Sequence, residues 1–213
     1  MAAAPPTNDF WKKKIAFYFN DILDTNSDGK INIADISNFK EMYKIMKGLK
    51  QDSPQLTSFC EFLDKWMHAI TDFRKSNVSP AAAAAAPPPP PVDPTKPNPE
   101  DDISLDDFTK YCEDLRLKLL KENNWPVTSH MREYVSALFT ILDSNNDGFI
   151  DRNDFLANST SQDDFVSRQA GWKIIAKVDD FKLNKDAFDA LCKEFVVSTN
   201  SVEPGNWIFG VFQ

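Results

Sequence analysis

The chain has 213 residues, a formal net charge of −8 and 42% hydrophobic residues, enough for one sizeable core or two small lobes sharing one. An acidic balance argues against a nucleic-acid partner, which needs a basic face to displace counterions from phosphates, and suits a protein that collects cations. No stretch approaches the roughly 20 apolar residues of a membrane-spanning helix.

Met1 to Phe10 has no basic segment followed by an apolar run, so no secretory leader is expected. Cys60, Cys112 and Cys192 are odd in number and far apart, and they read as reduced core thiols of a cytoplasmic protein. In that setting the sequons at Asn77 and Asn158 read as chance.

Four helix–loop–helix units follow one another, two with intact loops and two degenerate. In the first, Asn8 can cap a helix whose apolar positions Trp11, Ile15, Tyr18, Phe19, Ile22 and Leu23 recur at helical spacing. Loop Asp24–Asp35 follows, then a helix to about Lys47 with Ile36, Phe39, Met42, Tyr43 and Met46 on its buried face. The second unit opens at Ser53-Pro54, with Pro at the first helical position, and carries Phe59, Phe62, Leu63, Trp66 and Ile70. Its exiting helix starts at Ser104, where Ser104-Leu105-Asp106-Asp107 forms a capping box with Asp in place of Glu, and its apolar stripe is Phe108, Tyr111, Cys112, Leu115 and Leu119.

Between these helices lies Ser79–Glu100, with six consecutive alanines and five consecutive prolines. It reads as an exposed, polyproline-like insertion in the second loop. Pro87–Pro91 matches a minimal proline-recognition motif, an unspecific signal.

In the third unit Ser129 can cap a helix with Met131, Tyr134, Val135, Leu138, Phe139, Ile141 and Leu142. Loop Asp143–Asp154 follows, with an exiting helix from about Asn153. The fourth begins at Ser161 with Phe165, Val166, Trp172, Ile174 and Ile175. After Phe181-Lys182-Leu183 it continues through Phe188, Leu191, Cys192, Phe195 and Val196. Leu183 lies 33 residues beyond Ile150, a spacing that suits paired strands of two neighbouring loops. The expected fold is therefore all-α and compact, four EF-hand units in two pairs. Residues 1–122 are expected to form the amino-terminal pair, and residues 123–213 the carboxy-terminal pair.

The chemistry lies in the two intact loops. A hard divalent cation wants six or seven oxygens, and a twelve-residue loop can supply them. Positions 1, 3 and 5 are Asp24, Asn26 and Asp28 in the first and Asp143, Asn145 and Asp147 in the second. Gly29 and Gly148 at position 6 permit the turn that gathers them. Position 7 offers the backbone carbonyls of Lys30 and Phe149, and position 9 offers Asn32 and Asp151, directly or through water. Helical context on both sides is what the motif requires.

Position 12 is Asp35 in one loop and Asp154 in the other, where a high-affinity calcium loop carries Glu. Asp is one methylene shorter, so monodentate contact and nearer six ligands are expected, the geometry magnesium demands. The expected ions are Ca2+ and Mg2+, held by Asp24, Asn26, Asp28, Lys30, Asn32, Asp35, Asp143, Asn145, Asp147, Phe149, Asp151 and Asp154. Loop Asp143–Asp154 has four carboxylates against three in Asp24–Asp35, which by itself favours the cation there.

The other loops look dead. Aligning Leu183 on position 8 puts Ala176, Val178 and Asp180 at positions 1, 3 and 5 and Ala187 at position 12. Aligning Ile103 puts Asp107 at position 12, with the proline insertion in place of the oxygen-rich front half. Both loops would survive as strand partners. A monomeric ion buffer is the expected function, with a calcium sensor acting on an unknown protein target as the alternative. A phosphotransferase is the third reading, but nothing matches a phosphate-cradling GxxxxGK[ST] segment, since Gly29-Lys30 is followed by Ile31. His68 and His130 have no neighbouring nucleophile in sequence and read as ordinary helix residues.

Phe10-Trp-Lys-Lys-Lys before the first loop, the four-unit order and the terminal Pro204-Gly205-Asn206-Trp207-Ile208-Phe209-Gly210 give the chain a resemblance. It resembles the invertebrate sarcoplasmic calcium-binding protein and calexcitin-like family, which includes insect proteins called juvenile hormone diol kinases. That resemblance implies a compact helical protein with two EF-hand pairs, a carboxy-terminal tail packed against the body, and a role as a cytosolic calcium/magnesium buffer. This chain departs from the family by closing both intact loops with Asp and by interrupting the second loop.

Overall fold

The computed structural model describes residues 8–77, 101–122, 129–157, 159, 161–176, 178 and 180–211. The insertion expected at Ser79–Glu100 lies outside the described residues, as do the side chains of Ser129 and His130. The described residues form eight α-helices, with one two-stranded antiparallel sheet and one isolated bridge.

Helix α1 (Asp9–Phe17) is capped by Asn8, whose side chain accepts from the Trp11 N–H at 3.0 Å. It runs into a π-helical turn, Tyr18–Leu23, that the apolar spacing did not indicate. There the Asp24 N–H reaches back five residues to the Phe19 carbonyl, at 2.8 Å. At the equivalent place before the other intact loop, Asp143 bonds Phe139, four residues back. The wider turn places Tyr18, Phe19 and Leu23 together in the core just before the first loop.

Strand β1 (Lys30–Ile31) leads into α2 (Ile33–Met46). Ile36 and Tyr43 are buried as expected, whereas Met46 is exposed because α2 is ending there. Helix α3 (Pro54–Asn77) starts at its proline, with Ser53 Oγ accepting from the Leu56 N–H at 3.3 Å. Strand β2 (Ile103–Ser104) precedes α4 (Leu105–Glu122). The Asp-type capping box is formed: Ser104 Oγ accepts from the Asp107 N–H at 3.2 Å, and Asp107 Oδ2 accepts from the Ser104 N–H at 3.3 Å. Helices α5 (Ser129–Leu142), α6 (Arg152–Ala157), α7 (Gln162–Ile175) and α8 (Lys185–Val197) complete the set. Ser161 and Asn184 cap α7 and α8.

The loops meet in pairs. Ile31 lies opposite Ile103 in the β1–β2 sheet, and Ile150 exchanges two N–H···O bonds of 2.9 Å with Leu183. All four side chains are buried. Rings join the two halves of the sequence: Trp66 stacks on Tyr134 at 5.6 Å, and Tyr18 meets Phe195 at 5.5 Å and Phe209 at 4.5 Å. Such pairs contribute roughly 0.5–1.5 kcal/mol beyond their buried area.

Phe209 and the fully buried Ile208 follow a 3-10 turn, Pro204–Trp207, that packs on α7 and α8. Gly171 of α7 admits this approach, since a Cβ there would lie 2.6 Å from the Trp207 carbonyl oxygen. Gly171→Ala is expected to cost about 1–3 kcal/mol, seen as a lower denaturant midpoint.

Lys14 of α1 is fully buried, donating to the Ser198 carbonyl at 2.8 Å and to Asn206 Oδ1 at 2.7 Å. Burial, with Arg116 nearby, lowers its pKa to about 7 from 10.5. Between those values the unfolded chain binds the proton that the folded chain has released. Stability should therefore rise as pH goes from about 7 to 10, and Lys14→Met should flatten that slope in denaturant titrations across the range.

Candidate metal-binding loops

The two intact loops share the same hydrogen bonds at positions 1, 3 and 5. In the first, Asp24 Oδ1 accepts from the Asp28 N–H at 3.0 Å and Oδ2 from the Gly29 N–H at 2.8 Å. In the second, Asp143 Oδ1 accepts from Asp147 at 3.1 Å and Oδ2 from Gly148 at 3.0 Å. Asn26 and Asn145 each accept from the N–H two residues on, at 2.9 and 2.7 Å. Asp28 and Asp147 each accept from the N–H of position 7, at 3.0 and 2.9 Å. The backbone takes positive φ at position 4 (Ser27 58°, Asn146 57°) and at position 6 (Gly29 81°, Gly148 87°). This double reversal gathers the side chains of positions 1, 3 and 5 on one side of the loop.

Position 12 closes each loop from below. Asp35 Oδ1 accepts from the Thr25 N–H at 2.8 Å, the Thr25 hydroxyl at 3.0 Å and the Asn26 N–H at 3.3 Å, while Oδ2 accepts from the Asn32 N–H at 2.9 Å. Asp154 accepts from the Ser144 hydroxyl, and its Oδ2 from the Asp151 N–H at 3.1 Å. The position 2 hydroxyls of Thr25 and Ser144 were missed in the sequence. The signal is a hydroxyl directly after the first Asp in both loops.

Position 9 has a second duty as a helix cap. Asn32 gives its only side-chain oxygen to the Ala34 N–H at 2.8 Å, while Asp151 accepts from Asn153 and Asp154 through Oδ1. Asn32 would offer an ion only the remaining lone pair of its one oxygen, whereas Asp151 keeps its Oδ2 clear of the cap.

Asp24, Asn32, Asp35, Asp143 and Asp154 are all buried. Among the described residues no basic side chain forms an ion pair with Asp24 or Asp35. Buried carboxylates held only by amides and hydroxyls are costly without a countercharge. The donors are all oxygen, the set a hard divalent cation takes. Among the described residues no three His, Cys, Asp or Glu side chains alone make a cluster that could hold a metal. A donor set in these loops would draw also on the Asn side chains and the carbonyls of Lys30 and Phe149.

The strand partners touch the loops by charge as well. Lys30 Nζ pairs with Asp102 Oδ2 at 2.8 Å, and Lys182 Nζ reaches Asp147 Oδ2 at 3.3 Å. The Phe149 N–H holds the Asp147 carboxyl below the usual carboxylate range, with Lys182 and Asn145 adding to it. From α2, Lys47 Nζ donates to the Asp143 carbonyl and, at 3.4 Å, to Asn146 Oδ1. The other candidate groups are unlike a reaction centre: His68 is exposed, and burial pushes the thiols of Cys60, Cys112 and Cys192 up, away from the reactive thiolate.

No family model and no curated protein matches the chain. Solved structures do. The sarcoplasmic calcium-binding protein from amphioxus superimposes with a TM-score of 0.65 at 20% identity, covering 98% of this chain and 100% of that one. The Ca2+-regulated photoprotein mitrocomin from the jellyfish Mitrocoma cellularia gives 0.58 at 16% identity, over 94% and 92%. The photoprotein clytin gives 0.56 at 18%, over 95% of each chain. The chain thus has the all-α EF-hand fold of these proteins. The family resemblance read from the two ends and the unit order holds at the level of the fold. Among the described residues no helix is long and apolar enough to cross a membrane.

Replacing Asp35 with Ala leaves the N–H groups of Thr25, Asn26 and Asn32 without their shared acceptor. The expected cost is about 1–3 kcal/mol in the metal-free protein, measurable by urea unfolding in the presence of a chelator.

Proposed function

We propose that this chain binds calcium and magnesium through loops Asp24–Asp35 and Asp143–Asp154, and acts as a monomeric cytoplasmic ion buffer. The observation that carries the reading is the matching oxygen arrangement of the two loops, each closed by a buried Asp beneath the turn. The structural neighbours include a protein named for calcium binding and one named as Ca2+-regulated. An amino-terminal pair, residues 1–122, would carry the first site, and residues 123–213 the second.

Magnesium enters through position 12. Both oxygens of Asp35 already accept from the loop backbone, and a carboxylate so held can turn at most one oxygen toward an ion without breaking its cap. Monodentate closure leaves nearer six ligands, which magnesium tolerates and calcium favours less. Buffering rather than sensing is supported by the rings that clasp the two halves: opening a groove for a target would separate Tyr18 from Phe209 and Trp66 from Tyr134.

The test is a calorimetric calcium titration of the metal-free protein, repeated in millimolar magnesium. Two calcium sites whose affinity falls sharply with magnesium are expected. Two sites indifferent to magnesium would reject the mixed-ion buffer and favour a sensor. Asp35→Glu with Asp154→Glu should tighten calcium by about tenfold or more, since a second oxygen reaches the ion. No gain in affinity removes the position 12 argument.

A further inference from the structure

We propose that Lys182 and Lys47 act as tethered cations that weaken divalent binding in loop Asp143–Asp154, so that loop Asp24–Asp35 fills first. This rests on the reading that both loops bind divalent ions.

Loop carboxylates alone point the other way. Residues 24–35 hold three carboxylates and Lys30, a net −2, whereas residues 143–154 hold four carboxylates and Arg152, a net −3. Among the described residues the order reverses once the charged side chains seen to touch each loop from outside are added. Asp102 is the outside charge paired in the first loop, through Lys30, which takes that site to −3. The second receives Lys182 on the Asp147 carboxylate and Lys47 on the Asp143 carbonyl and the Asn146 amide oxygen, which leaves −1.

Each lysine has a distinct origin. Lys182 belongs to the degenerate fourth loop and stands one residue before Leu183, whose pairing with Ile150 fixes its register beside Asp147. It also lies over the Phe149 ring at 5.6 Å. Lys47 ends α2, the helix that leaves the first loop, and so carries charge from one metal loop to the other. The disparity is electrostatic: a divalent ion arriving at Asp143 and Asp147 must stand beside two ammonium groups, one of which already holds a ligand oxygen. The repulsion is screened by salt, so the gap between the loops should narrow as ionic strength rises.

The two sites can be read separately in the full-length protein, because Gly29 and Gly148 each donate an N–H to the first carboxylate of their own loop. Their amide resonances are followed by NMR during a calcium titration at low salt. In the unsubstituted chain the Gly29 resonance should reach its end point before that of Gly148. Lys182→Met with Lys47→Met should lower the Gly148 midpoint roughly threefold to tenfold, while the Gly29 midpoint stays within twofold. Lys182→Arg with Lys47→Arg, which keeps the charge, should keep the original order; because Met retains an apolar stem, the contrast between the two pairs isolates the charge from the packing of the stems. Lys182→Met alone, at a half-exposed position, should give part of the shift and guards against a folding defect in the double variant. Gly148 reaching its end point first in the unsubstituted chain, or a Gly148 midpoint that the Met variants leave in place, overturns the proposal while metal binding stands. If neither glycine resonance responds to calcium, the metal-binding reading fails and takes this one with it.

Discussion

In each intact loop the buried carboxylate at position 12 is bound from two directions. Asp35 ties the start of its loop, at Thr25 and Asn26, to the cap of the following helix at Asn32. Asp154 does the same with Ser144 and Asp151. The loop cannot open without uncapping the helix, and the helix cannot shift without dragging the carboxylate. Helix geometry and loop shape are thereby one mechanical element, and the strand pairs Ile31–Ile103 and Ile150–Leu183 hold each such element beside a partner loop.

That arrangement explains why two degenerate loops remain useful. By sequence, Ala176–Ala187 and the segment before Ile103 lack the ligand pattern of the two intact loops. Each still provides backbone pairing and a side chain that reaches the intact loop beside it, Lys182 in one case and Asp102 in the other. Loss of ligands in a partner loop therefore leaves its electrostatic influence in place. The pairing gives each intact loop a neighbour whose charge can be changed without touching the loop's own residues.

Much of this was legible in the sequence because it is local. The caps at Asn8, Ser53, Ser104 and Ser161 depend on residues within three positions of one another, and the structure forms each of them. The loop donors follow a fixed order, so their register can be read directly, and so can Leu183 opposite Ile150. What escaped is what depends on distant partners. The burial of Lys14 requires the chain near Ser198 and Asn206, and nothing around Lys14 distinguishes it from exposed Lys12 and Lys13. The π-helical turn at Tyr18–Leu23 leaves the apolar pattern unchanged, because one extra residue in the turn is absorbed by aromatic packing. Met46 fits the buried face of α2 by period alone, but the helix ends before the core reaches it.

The first helix is fastened to the far end of the sequence. Asn8 donates to the Thr199 carbonyl, Trp11 to that of Val196, and Lys14 to Ser198 and Asn206. The partners of Lys14 lie 184 and 192 residues away. On a ribosome moving at about 5–20 residues per second, α1 waits roughly 10–40 s for the groups that seat Trp11 and Lys14. Through that interval its apolar face has no native cover from the final segment. Until residues 196–206 emerge, that face is open to aggregation and to chaperone capture, and those residues act as the fastener that seats the first helix.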